Sequence, residues 1–309
     1  MRFTTLEIQT LSTDSIHTLY GKIYIPIGTP KGIVQIIHGM SEHMELYDEF
    51  MSELAKNGYV SVVYDQLGHG KTAGGKDDLG FFAEKDGDEI LIGDAQKAAC
   101  EFLSDYSGIP HILFGHSMGS FIARLCAQRY PEMCDMLILS GTGGHQRGSA
   151  LGLALTKAGD SLHGRSYRPD HLQKMFLDYC NMMFRDDNNL YAWTTSDTSV
   201  QKEHFDDPKY NFVFSYKAMN DVVALSEKCS GNDWYDGFPV DLPTLIISGE
   251  KDPVGDYGRG VIEIYKKLVS CGANDVSLKI YKGCRHELLH EKNRREVTKD
   301  IIKWLSNRV

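Results

Sequence analysis

Five residues, Gly115-His116-Ser117-Met118-Gly119, constrain this chain more than any others. They follow the apolar run His111-Ile112-Leu113-Phe114 and precede a segment of helical character from 117 to about 130. A strand that must turn at once into a helix needs a very tight corner, and glycines at both ends let the backbone close up. The serine between them is then held with its hydroxyl exposed above a sheet edge. Such a corner belongs to a fold in which strands and helices alternate.

The rest of the chain keeps that alternation. Segments 3–10 and 17–25 alternate apolar and polar residues and predict two antiparallel strands. Gly32–Ile37, Val60–Tyr64, Met136–Ser140, Thr244–Ser248 and Val276–Tyr281 are short, nearly continuous apolar runs, which suit strands buried on both faces. Between them lie predicted helices at 45–57 (spaced by Leu46, Phe50 and Leu54), 87–105, 117–130, 257–271 and 291–306. The expected fold class is α/β, a mostly parallel sheet with helices on both faces.

One region breaks the rhythm. From 145 to 235 there is no clear buried strand, only helix-like stretches such as Leu151–Ala158 and Leu172–Phe184, and loops rich in Asp, Asn and Ser. The expected organisation is a core of 1–144 and 236–309 with residues 145–235 inserted as a helical cap. A cap so placed covers the carboxyl edge of the sheet, where open α/β sheets bind ligands.

Composition narrows the partners. In 309 residues, 42% hydrophobic and 24% charged, the balance is that of a globular protein with a real core. A formal net charge of −9 argues against nucleic acid, whose phosphates select clustered Lys and Arg. Cys100, Cys126, Cys134, Cys180, Cys229, Cys271 and Cys284 are scattered and form no CxxC pair, so free thiols in a reducing compartment are expected. MRFTTLEIQT lacks a basic start followed by an apolar stretch, so no secretory leader is expected. No apolar run approaches the roughly 20 residues that span a bilayer. A cytoplasmic location is the expectation.

A serine hydroxyl is a weak nucleophile until a base takes its proton, and the base must itself be oriented by a third group. Behind a G-x-S-x-G corner the chain order is Ser, acid, His. Asp252 follows the strand that ends at Ser248, and His286 follows the strand that ends at Tyr281. Both therefore leave the sheet edge that displays Ser117. Glu250 competes for the acid but sits nearer its strand end. The oxyanion of an acyl-transfer intermediate needs backbone donors. Met118, next after the serine, offers one; Met40, on the loop after His38-Gly39, offers the other. Asp65 and His69, in the glycine-rich loop after Tyr64, are expected to serve hydrogen bonds of the scaffold.

His286-Glu287-Leu288-Leu289-His290 is also a literal H-E-x-x-H, the helix-borne zinc pattern. Zinc needs both histidines on one helical face. Here Gly283 and the preceding strand put His286 on a loop, only nineteen residues follow His290, and the longer H-x-x-G-x-x-H extension is missing. No metal and no cofactor are expected.

With these residues assembled, the chain resembles the monoacylglycerol lipase and bacterial lysophospholipase branch of the α/β-hydrolases. The likeness rests on HGMSEH (38–43), YDQLGHGKT (64–72), GHSMG (115–119), SGEKDPVGDYGRGV (248–261) and LKIYKGCRHELLHE (278–291). The segment Trp193–Phe214, with Asp207-Pro208 and Phe212, resembles the cap of the bacterial members. The resemblance implies the α/β-hydrolase fold, with Ser117, Asp252 and His286 as the catalytic triad and Met40 and Met118 as oxyanion donors. Leu46 stands where family lipases that recognise glycerol often carry Arg, which leaves open a shorter or differently shaped acyl ester.

The expected function is carboxylic-ester hydrolysis through an acyl-enzyme, on a small-molecule acyl ester. Glu42, Phe176 and Met183 are candidate substrate contacts. Leu151, Leu153, Leu155, Leu177, Met182 and Phe184 are candidates either for an acyl channel or for simple packing of the cap. A transient membrane-surface contact through the cap is compatible with such a substrate. Two other readings remain. One is a peptidase that holds a substrate amine through Asp186-Asp187 or Asp206-Asp207; the other is a non-catalytic ligand binder on the same fold, which need not keep Ser, Asp and His together.

Overall fold

The computed structural model describes residues 3–144, 149–164 and 167–309. Strands β1 (Phe3–Leu11) and β2 (Thr18–Pro26) form an antiparallel hairpin, and β2 joins β4 (Tyr59–Tyr64) antiparallel. From there β4, β3 (Gly32–Ile37), β5 (His111–His116), β6 (Met136–Ser140), β7 (Thr244–Gly249) and β8 (Val276–Tyr281) run parallel. The sheet has eight strands in the order β1-β2-β4-β3-β5-β6-β7-β8. This is the α/β-hydrolase arrangement expected.

The apolar runs alternate between two cores, as a period of two requires. Val34, Ile36, Ile112, Phe114, Ile138, Leu245 and Ile247 face α1 (Asp48–Lys56) and α10 (Arg294–Ser306). Ile37, Leu113, Leu137, Leu139 and Ile246 face α2 (Gly87–Phe102), α3 (Met118–Arg129) and α9 (Arg259–Ser270). Even Gln35, on this second face, is buried, and its amide donates to the Ala95 carbonyl at 2.8 Å.

Between β6 and β7 the described chain is helical: α4 (Ser149–His163), α5 (Asp170–Cys180), α6 (Thr198–Asp206), α7 (Tyr216–Ser230) and α8 (Asn232–Asp236). Helix α7 packs on α4, α3 and α2. Arg124, fully buried on α3, ties this segment to the core: it donates to the carbonyls of Gly143 and Cys229, and its guanidinium lies 4.1 Å from the Trp234 ring. The side chains of Leu151, Leu153 and Leu155 lie outside the described residues.

Helix ends differ from expectation where the backbone is left-handed or tightened. The segment at 45–57 opens with a single 3-10 turn, Met44–Tyr47, before α1. Helix α9 starts at Arg259 because Asp256, Tyr257 and Gly258 all have positive φ. The 291–306 helix starts at Arg294, after a 3-10 turn at Leu288–His290. Among the described residues no helix is long and apolar enough to cross a membrane, and all seven cysteines are free.

Candidate active site

Four loops that leave the carboxyl ends of β3, β5, β7 and β8 carry Met40, Ser117, Asp252 and His286. Ser117 sits at φ 51° and ψ −121°, a conformation strained for any residue but glycine. The corner leaves no room beside it. A Cβ on Gly115 would come within 2.5 Å of the Gly119 carbonyl oxygen, and one on Gly119 would meet the carbonyls of Ile37 and His38. That crowding is why both outer positions of the five-residue corner are glycine.

Asp252 is fully buried, and its Oδ1 accepts from the Val254 N–H at 2.9 Å and from His286 Nδ1 at 2.8 Å. The bond fixes the imidazole so that Nε2 is free for another partner. Burial disfavours a charged His286, but the charge and hydrogen bond of Asp252, with Glu287 and Glu42 behind it, outweigh burial and raise its pKa above the ordinary imidazole value. Glu250, the competing acid, accepts instead from the Gly283 N–H at 2.9 Å.

His116, one residue before Ser117, brings the two loops together: its ring centroid is 4.8 Å from that of His286. Burial and the neighbouring His286 push His116 down to about 3, so it is neutral. A Cβ on Gly141 would lie 3.0 Å from both His116 and His286. Among the described residues no hydrogen bond joins Ser117 Oγ to His286; such bonds often close only around substrate.

Met118 is the first residue of α3, where a backbone N–H has no acceptor within its own helix. Met40 follows Gly39, whose missing side chain lets the β3 loop pack on Ser117: a Cβ there would stand 3.0 Å from the Ser117 Cβ. Glu42, a candidate substrate contact from the sequence, lies behind the same loop. It is 2% exposed and turned inward, accepting from the Gly39 N–H at 2.5 Å and the Tyr47 hydroxyl at 2.7 Å. Its carboxylate braces the loop from behind. Asp65 and His69 brace it too, accepting from the N–H groups of Met44 (2.7 Å) and Ser41 (3.2 Å).

The segment between β6 and β7 reaches the site at Trp193, which the sequence did not single out as a contact of the histidine. Its ring lies 4.9 Å from His286, and Phe176 packs edge-on against it at 5.8 Å. Leu177 and Phe184 are buried in the same small cluster. Met183, a candidate substrate contact from the sequence, is 63% exposed, and Met182 is 51% exposed. Both follow α5 on the turn Asn181–Met183, which faces outward.

The two halves of H-E-x-x-H point apart. His286 serves Asp252, whereas His290 Nδ1 donates to Glu287 at 2.9 Å and Nε2 to the Leu46 carbonyl at 2.9 Å. Leu46 thus contributes its carbonyl, while its side chain packs on the core beside α1. The acidic pairs are engaged elsewhere: Asp187 with Arg285, Asp206 with Lys202, and Asp207 with His43.

Residues 28–293 match the model of the family described as serine aminopeptidase, S33. The human monoglyceride lipase is 30% identical over 94% of this chain and 87% of its own length. The monkeypox virus monoglyceride lipase homolog is 28% identical, over 94% and 95%. A highly thermostable carboxyl esterase from Bacillus coagulans, solved in complex with glycerol, superposes with a TM-score of 0.92 at 29% identity, covering 98% of each chain.

Proposed function

Since the chain belongs to the serine aminopeptidase S33 family of hydrolases, and is a serine hydrolase of carboxylic esters, we propose that its substrate is a monoacylglycerol or lysophospholipid-like acyl ester cleaved by Ser117, His286 and Asp252. The observation that carries the triad is the buried 2.8 Å bond from His286 Nδ1 to Asp252 beside the strained corner of Ser117. His286 Nε2 takes the Ser117 proton as Oγ attacks the ester carbonyl, and Asp252 stabilises the imidazolium that forms. The backbone N–H groups of Met118 and Met40 receive the developing oxyanion. Collapse expels the alcohol, to which His286 returns the proton. Water activated by the same imidazole then releases the acid and frees Ser117. No step needs a metal or a cofactor.

The acyl-ester class draws on the relatives, whose names are monoglyceride lipase and carboxyl esterase. In this reading residues 145–235 cap the site, with Trp193 against the histidine, Phe176 behind Trp193, and exposed Met175, Met182 and Met183 free to touch a lipid surface. Free, mostly buried thiols fit a cytoplasmic setting. The deciding experiment is hydrolysis of a chain-length series of monoacylglycerols, lysophospholipids and p-nitrophenyl esters, with amino-acid anilides alongside. Fatty-acid release from the esters is expected; faster cleavage of the anilides overturns the reading.

A further inference from the structure

Beside His286 lies a buried cluster that the acyl transfer does not use. The Glu287 side chain is 3% exposed, and its carboxylate receives three donors: His204 Nε2 at 2.8 Å, His290 Nδ1 at 2.9 Å, and the Tyr210 hydroxyl. Tyr210 stacks flat on His204, ring centroids 3.9 Å apart and 3° from parallel. These donors come from different parts of the chain. His204 is on α6, Tyr210 follows it, and His290 reaches on to the carbonyl of Leu46, four residues past the oxyanion loop's Glu42.

The backbone is tied at the same place. The N–H of Glu287 donates to the Thr194 carbonyl at 2.7 Å, and that of His286 to the Trp193 carbonyl at 3.4 Å. One carboxylate thus joins the loop of the base, the segment that carries Trp193, and the turn behind the oxyanion loop. A buried carboxylate with three donors is held firmly, because losing any of them leaves a charge without compensation in a dry interior.

The same three groups, His204, Glu287 and His290, lie close enough together to suggest a cation site. Their spacing argues for protons instead. Ligands about 2.1 Å from a tetrahedral zinc stand roughly 3.4 Å apart, whereas both nitrogens here lie at hydrogen-bond distance from one carboxylate oxygen. His290 already donates from Nε2 to Leu46, so a donor at Nδ1 as well makes its ring an imidazolium.

We propose that Glu287 is a positioning residue for the hydrolysis: through His204, Tyr210 and His290 it clamps the Trp193 segment and the Leu46 turn onto the loop that presents His286. The inference rests on His286 being the base. Within a positioned pair, displacement of the order of an ångström costs about a hundredfold in rate. Glu287 also adds its negative charge to those of Asp252 and Glu42 around His286, against neutral His116 on the opposite side.

Glu287→Gln keeps the shape and removes the charge. Its kcat on a short soluble ester is expected to fall about tenfold or more with KM little changed, since the loss lies in the chemical step. The acid limb of kcat/KM is expected to move to lower pH, because one charge that favours imidazolium is gone. Tyr210→Phe keeps the ring stack and removes one donor; a smaller kcat loss of the same sign is expected, and this variant decides the matter if Glu287→Gln does not fold. Unchanged kcat and an unmoved acid limb overturn the inference, as does stoichiometric zinc in the purified wild-type protein that Glu287→Gln loses. His286→Ala separates the two levels: if it retains full activity, the triad reading fails rather than the clamp.

Discussion

The indole of Trp193 lies 4.9 Å from the imidazole of His286, the planes tilted by 32°, and covers the face of a histidine that is 2% exposed. An imidazole so covered is cut off from bulk water, which alone would depress its pKa; the three carboxylates near it prevail. In the proposed mechanism His286 must be neutral to take the Ser117 proton, so activity is expected to fall as pH drops through the His286 pKa. With that value raised, the acid limb of kcat/KM for a soluble ester is expected above pH 6.5, and Trp193→Ala, which lifts the cover, is expected to move it higher still. A pH–rate profile of the two proteins checks both; an acid limb well below pH 6.5 contradicts the electrostatics.

Ser117→Ala is expected to lower kcat by about 10⁶, and Asp252→Asn by about 10⁴, since the first removes the nucleophile and the second only the carboxylate that orients its base. Labelling by a fluorophosphonate probe is expected to vanish in the first variant and to slow in the second. Equal labelling of all three proteins sinks the assignment.

Gly119→Ala tests the corner itself. The added methyl has no open direction, because the carbonyls of Ile37 and His38 stand against it where β3 ends. Relief would require β3 and α3 to part, and a cost of about 3 kcal/mol or more is expected for such overpacking. Urea unfolding followed by circular dichroism reads it directly. A wild-type midpoint would mean the strand and helix are less tightly joined than the geometry says.

The sequence was most informative where geometry is local. The strand-turn-helix corner at Ser117 is legible because only glycine fits at positions 115 and 119, and β3 to β8 are legible because strands buried on both faces read as continuous apolar runs. Asp252 and His286 follow from chain order and strand ends. Contacts across long separations were not legible. Nothing near Trp193 in the sequence signals that its ring will cover a histidine 93 positions later. From the sequence Glu42 is a candidate substrate contact; only the fold reveals that its carboxylate accepts from Gly39 and Tyr47. H-E-x-x-H misleads for a similar reason: its spacing means one face only on a helix, and here a 3-10 turn sends His290 toward Leu46.

His290 makes part of the fold's stability depend on pH. Burial works against its charge, but the Glu287 carboxylate and the Leu46 carbonyl prevail and push it up to about 9. A histidine raised in the folded state contributes stability that is fully present below the unfolded value of about 6.5 and lost as pH rises through the folded one. Urea midpoints are therefore expected to fall between pH 6.5 and 9 in the wild type, and less in His290→Asn. Parallel curves for the two proteins would remove the ion pair from the account.

Helix α5 gives the last prediction. Met175 and Tyr179 lie one turn apart on α5, Met182 and Met183 follow on the turn at 181–183, and all four are at least half exposed. An apolar stripe left in water gains by contact with a lipid surface, whereas a soluble short-chain ester reaches the site without it. Met175→Ser with Met182→Ser leaves stability nearly unchanged, because exposed side chains contribute within about 0.5 kcal/mol. Hydrolysis of a dissolved butyrate ester is expected to be unaffected, while co-sedimentation with phosphatidylcholine vesicles and the rate on an aggregated long-chain monoacylglycerol both fall several-fold. If both substrates slow equally, the stripe acts on the site and not on a surface. If neither slows, the protein takes its substrate from solution and the stripe has no part in catalysis.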